Sequence, residues 1–172
     1  MSENERKSNI VSRLPRWLRA ALFALLQWTW GLPQNVLGLL VLLILGKQER
    51  FTYHGALVTL FDRNRLFRQS GAFSLGTFIF IPRTWDRDFI KKVVVHEYGH
   101  SVQSMILGPL YLPAVGLPSV IWSAVWGRSM RRAKPLRGES GRGKPRLYTS
   151  KYPENWANAL GQYATGDTPS GH

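Results

Sequence analysis

Residues 93–103 read VVVHEYGHSVQ, with His96 and His100 four positions apart and Glu97 between them. On an α-helix, residues four apart project from one face, so both imidazoles can offer a ring nitrogen to a single Zn2+. Glu97, directly after the first histidine, then stands beside any water on that ion. The spacing therefore calls for a helix through 96–100. The sequence on either side must say where that helix begins, what it packs against and what completes the site.

Upstream, Thr84 or Asp86 can cap a helix that runs through Phe89, Ile90, Val93 and Val94 into the motif. Pro82 stops whatever precedes it. Two runs rich in aromatic and branched residues lie there, FTYHGALVTLF at 51–61 and AFSLGTFIFI at 72–81, separated by a segment carrying Asp62, Asn64, Ser70 and Gly71. They read as two strands, paired antiparallel.

The wider chain has 172 residues, about one domain, and contains no cysteine. Disulfides, thiolate ligands and cysteine nucleophiles are thereby excluded, which leaves histidine and carboxylates to bind a metal. A hydrophobic fraction of 44% and a mean hydropathy of −0.17 resemble those of a soluble protein. The apolar residues are unevenly placed, however: 20–46 and 101–127 each run 27 positions without Asp, Glu, Lys or Arg. As a helix either would reach roughly 40 Å, against a hydrocarbon core of about 30 Å. Membrane residence is the expectation.

The first stretch follows Arg13, Arg16 and Arg19, is too long for a secretory signal and lacks a small-residue cleavage site, so it reads as an uncleaved anchor. Pro33, beside Gln34 and Asn35, should kink it or fold it into a hairpin. Trp28 and Trp30 suit either an interface or packing between helices. The second stretch starts inside the motif helix and carries Pro109, Pro113 and Pro118, which favours a broken or re-entrant element over a straight span. Its competing reading is a core helix of a soluble domain.

After Trp126 the chain becomes basic and rich in Gly and Pro, with nine Lys and Arg against one Glu up to Lys151. Such a loop, 128–151, fits anionic lipid headgroups. Nucleic acid is the less economical partner for the net charge of +13, because no binding motif accompanies it. Residues up to about Asn9 and the tail after Gly166 read as disordered.

A catalytic zinc needs a third protein ligand. Downstream, Glu139 lies in the basic loop, Asp167 and His172 lie in a polar tail, and Glu154 opens PENWANALGQY. There Pro153 suits a first helical turn, and Trp156, Ala157, Leu160 and Tyr163 form a buried side of a helix over 153–164. Glu154 and Asn158 share a face, and Ala157 is small enough to admit a neighbouring helix.

HEYGH followed by Glu154-Asn-Trp-Ala-Asn158 resembles the gluzincin class of zinc metallopeptidases, in which a second helix carries ExxxD or ExxAD after HExxH. The resemblance implies that His96, His100 and Glu154 bind zinc, that Glu97 is the general base, and that position 158 supports a ligand histidine. Asn158 stands where many gluzincins have Asp. Its amide oxygen still accepts an imidazole N–H but lacks the charge that raises ligand basicity, which lowers metal affinity.

The implied activity is hydrolysis of peptide bonds in a membrane or membrane-proximal protein by zinc-activated water. Tyr148, Tyr152, Tyr163 and His54 are all available to steady the oxyanion, and the strand ending at Ile81 offers an edge for an extended substrate. Gly99 lets another element approach the motif helix.

The charged segments 1–19, 47–100 and 128–172 hold 5, 9 and 9 basic residues, which draws all three to the cytoplasmic side. The expected architecture is an α+β membrane protein. Its parts are a basic segment 1–19, a kinked anchor or hairpin 20–46, and a metallopeptidase-like domain 47–172. That domain pairs a small antiparallel strand pair with an HExxH helix packed on a C-terminal Glu-bearing helix, and its site lies near the cytoplasmic face.

Two alternatives remain. One is an intramembrane enzyme resembling site-2 proteases, with Asp167 as third ligand. The other is a membrane adaptor with a relic motif, whose basic loop binds lipid or an acidic partner.

Overall fold

Each of the two apolar runs between residues 51 and 81 contains a dipeptide that reverses the chain. A computed structural model describes residues 15–62, 67, 70–121 and 152–169. In it the first run forms β1 (Glu49–Tyr53) and β2 (Ala56–Phe61), and the second forms β3 (Phe73–Leu75) and β4 (Phe78–Pro82). His54 and Gly55 both take positive φ (48° and 91°), as a two-residue hairpin turn that follows the strand twist requires. Gly76 (φ 62°) opens the second turn.

The expected antiparallel pair is thus corrected to a four-stranded sheet in the order β1-β2-β4-β3. Its outer pairs are antiparallel and its central pair, β2 with β4, is parallel, from Leu57 opposite Phe78 to Phe61 opposite Pro82. The aromatic and branched residues flanking HG and GT read as continuous strands because a two-residue turn barely interrupts the pattern.

The central strands are buried on both faces. Alternation sends Val58, Leu60, Ile79 and Ile81 to one side and Phe61, Phe78 and Phe80 to the other. Against the first side lies α3 (Arg87–Leu107) through Ile90, Val93, Val94, Tyr98 and Val102. Asp86 caps α3, its carboxylate accepting from Asp88 N at 2.9 Å and Phe89 N at 3.3 Å.

The stretch 20–46 breaks at Trp30–Gly31 into α1 (Arg16–Thr29) and α2 (Leu32–Leu45), with Pro33 in the first turn of α2 and a bend of 97°. α2 covers the second face of the sheet through Val41, Leu42 and Leu45. Among the described residues no single helix is long and apolar enough to cross a membrane. The straight length inferred from 27 charge-free residues is not realised, because proline and glycine divide it. The stretch 101–127 likewise breaks at Gly108, passes through a short 3-10 turn (Gly108–Leu110), and continues as α4 (Leu112–Ile121), whose first part is a wide π turn. The basic N-terminal residues 1–14, the basic loop 128–151 and the final residues 170–172 lie outside the described residues.

α5 (Glu154–Thr165) crosses α3 at very short range. A Cβ on Gly99 would overlap the Ala157 carbonyl, and one on Gly161 would overlap the Val95 carbonyl. The buried stripe of α5 is therefore Glu154, Ala157, Asn158 and Gly161. Tyr163, expected on that side, is instead 78% exposed. Small residues form the stripe because they let two backbones meet.

Replacing Gly99 with Ala should gain about 1 kcal/mol of helix propensity. It should lose more, about 1–3 kcal/mol, by forcing the helices apart, because the obstructing atom is backbone and cannot rotate away. A lowered midpoint of thermal unfolding for Gly99→Ala, and for Gly161→Ala, is the expected result.

Candidate metal centre

The close crossing of α3 and α5 brings the first residue of α5 against one face of α3. Glu154 Oε2 lies 3.1 Å from His96 Nε2 and 3.7 Å from His100 Nε2. Two ligand atoms on a tetrahedral ion at zinc distances stand about 3.4 Å apart. The three donor atoms all lie within 4.8 Å of one another, and all three residues are buried, so the group could hold a metal ion. No other group of three His, Cys, Asp or Glu among the described residues meets the same condition.

The outward nitrogens explain why the inner ones converge. His96 Nδ1 is 2.7 Å from Asn158 Oδ1, and His100 Nδ1 is 2.7 Å from Gln103 Oε1. Gln103 Nε2 in turn donates to the Pro153 carbonyl at 3.1 Å, which assigns the amide so that its oxygen faces the histidine. Both imidazoles then donate from Nδ1 and carry a lone pair on Nε2. Two lone pairs and a carboxylate oxygen meet with no donor between them, an arrangement that a cation satisfies.

Ser119 of α4 donates to Glu154 Oε1 at 2.7 Å, which leaves Oε2 to face the histidines. Glu154 is 1% exposed. Burial alone would raise the pKa of its carboxyl, yet the two imidazoles overcome this and hold it well below the usual carboxylate range. For His100 burial works against the charged form, while Glu154 and Glu97 outweigh it and raise its pKa. With both imidazoles neutral, Glu154 leaves a buried negative charge at the centre, which a proton on an imidazole or a bound cation neutralises.

Glu97 is buried on the same helix, within electrostatic reach of His100 and of Tyr111, the residue that ends the turn after α3. Tyr111 is also buried, within electrostatic reach of Glu154 and beside the Ser74 hydroxyl.

The structure brings His96, His100, Glu154 and Asn158 together, with Glu97 adjoining. Asp167 is elsewhere, accepting a hydrogen bond from Tyr53 at 2.7 Å. Among the expected oxyanion donors, the Tyr152 hydroxyl donates to Ala114 O at 2.7 Å, Tyr163 points to solvent, and His54 occupies the β1–β2 turn. Glu139, Tyr148 and His172 lie outside the described residues.

Sequence reasoning passed over Gln103, Ser119 and Tyr111. Gln103 had a signal, since it sits three residues after His100 and shares its helix face. Ser119 and Tyr111 had none, because folding alone returns their segment to α5. The chain matches no protein-family model, no curated protein and no solved structure. Any reading of the site accordingly rests on its geometry.

Removing the Asn158 amide leaves His96 Nδ1 without its acceptor and frees the ring to rotate. Asn158→Ala should weaken metal binding about 10- to 100-fold, and Asn158→Asp should strengthen it relative to the parent. Competition with a chromogenic chelator measures both.

Proposed function

We propose that the chain is a membrane-bound zinc peptidase acting on a membrane or membrane-proximal protein, with its site near the cytoplasmic face. The observation that carries this reading is the convergence of His96 Nε2, His100 Nε2 and Glu154 Oε2 beside a buried Glu97. A His2Glu donor set with no thiolate suits zinc among the common divalent ions. Zinc held there supplies a Lewis acid that lowers the pKa of a water toward about 7 and polarises a carbonyl.

The remaining work falls to the chain. Glu97, buried one residue from His96 and within electrostatic reach of His100, takes a proton from water and returns it to the leaving amine. Asn158 and Gln103 hold the two imidazoles in the tautomer that presents Nε2 inward. Tyr111, a hydroxyl within the field of Glu97 and Glu154, is the donor available to a carbonyl oxygen as it gains charge. Burial of all these groups strengthens each electrostatic contact by excluding water.

Metal content and cleavage separate the peptidase from a non-catalytic adaptor. Glu154→Ala should lose zinc, whereas Glu97→Gln should keep zinc and lose cleavage by about 10²- to 10⁴-fold. Cells expressing Glu97→Gln should then accumulate an uncleaved membrane or membrane-proximal protein. A zinc-free parent protein, or a proteome unchanged by Glu97→Gln, would leave the adaptor as the better reading.

A further inference from the structure

We infer that α1 and α2 form a monotopic membrane element, a V whose outer apolar side enters one leaflet of an anionic bilayer and returns to the side it came from. The inference deepens the proposed function and rests on its membrane half, independently of peptidase chemistry.

The polarity of the V is inverted. Gln27, Gln34 and Asn35 are fully buried, whereas Leu25 is 60% and Leu43 is 68% exposed. A helix lying on a soluble core shows the opposite stripe, and soluble monomers rarely expose so extended an apolar surface. Most of their inward polar atoms find partners within the protein, Gln34 Oε1 and Asn35 Nδ2 excepted. Gln27 Nε2 donates to Ser101 O at 2.7 Å, and Gln34 Nε2 donates to Ser104 Oγ at 3.0 Å and Gly108 O at 2.8 Å. Asn35 Oδ1 accepts from Thr77 N at 2.7 Å. Lipid offers no hydrogen bonds, so a helix that faces it must turn its amides inward.

The dimensions suit a return to the same side. Each arm has 14 residues and a 97° bend separates them. With both open ends at one surface, arms of about 21 Å in a V of that angle reach about 16 Å deep, close to one leaflet of a core about 30 Å thick.

Charge places both open ends on one side. Arg16 and Arg19 stand in the first turn of α1, Lys47 and Arg50 follow α2, and no charged residue lies from 20 to 46. Trp17, 71% exposed at the open end, suits the headgroup level. A second copy of this chain could cover the leucines but would oppose these cations to their equivalents. An anionic leaflet accepts both.

The metal centre follows from the attachment. The bend is tied to the end of α3, where Gly108 packs under Trp30, and the neighbouring Leu110 is 64% exposed. His100 lies eight residues back along α3, about 12 Å from that end, which puts the site near the lipid surface.

The absence of cysteine makes the test direct. Single-cysteine variants Ser12→Cys, Leu43→Cys and Thr52→Cys of the full chain are expressed in bacteria and treated with a membrane-impermeant maleimide, before and after opening the cells. The purified chain is floated with phosphatidylethanolamine–phosphatidylglycerol vesicles. The expected result is co-flotation, labelling of positions 12 and 52 from the same, cytoplasmic side only, and loss of labelling at 43. Labelling of 12 and 52 from opposite sides would overturn the one-leaflet geometry while leaving the membrane reading standing. Failure to float, full labelling at 43, or a soluble dimer would overturn both, and zinc content would still decide the peptidase reading separately.

Discussion

The closeness of α3 to α5 is the constraint on which the candidate metal centre depends. Gly99 receives the Ala157 carbonyl and Gly161 receives the Val95 carbonyl, so the two backbones meet without intervening side chains. Only then does a side chain as short as glutamate reach both histidines from the first turn of α5. The glycine inside HEYGH costs helix propensity, and the return is a third donor to the candidate centre from a distant part of the chain.

Around that crossing the site is organised by amide and hydroxyl side chains. Gln103 links His100 to the carbonyl just before Glu154, so a single side chain couples the orientation of His100 to the position of Glu154. Asn158 does the same for His96 within α5, and Ser119 selects which oxygen of Glu154 faces inward. Fixing Nδ1 on both rings leaves only acceptors at the centre. A preorganised pocket of this kind suits a cation.

The same helix that carries the centre also anchors the N-terminal V. Ser101, Ser104 and Gly108 receive the amides of Gln27 and Gln34, while α1 and α2 turn leucines outward. α3 is thus apolar toward the sheet and polar toward both the V and α5. Its length of 21 residues accommodates all three faces, with the cap at Asp86 and the stop at Gly108 marking where each partner begins and ends.

The sequence by itself determined the local features. Four-residue spacing placed His96 and His100 on one face, Asp86 marked a helix start, Pro33 marked a break, and Glu154 with Asn158 formed a second short motif. These depend on contacts within a turn or two, which composition and periodicity report. The tertiary structure decided what depends on distant segments meeting. It split each presumed strand into a hairpin and paired β2 with β4 in parallel. It shifted the buried stripe of α5 from Trp156 and Tyr163 to small and polar residues, and it brought Gln103, Ser119 and Tyr111 to the centre. It also shortened the charge-free stretches into bent arms. Hydropathy counts how many residues are apolar but not which side of a helix faces a neighbour, and that orientation is set by which surfaces pack together.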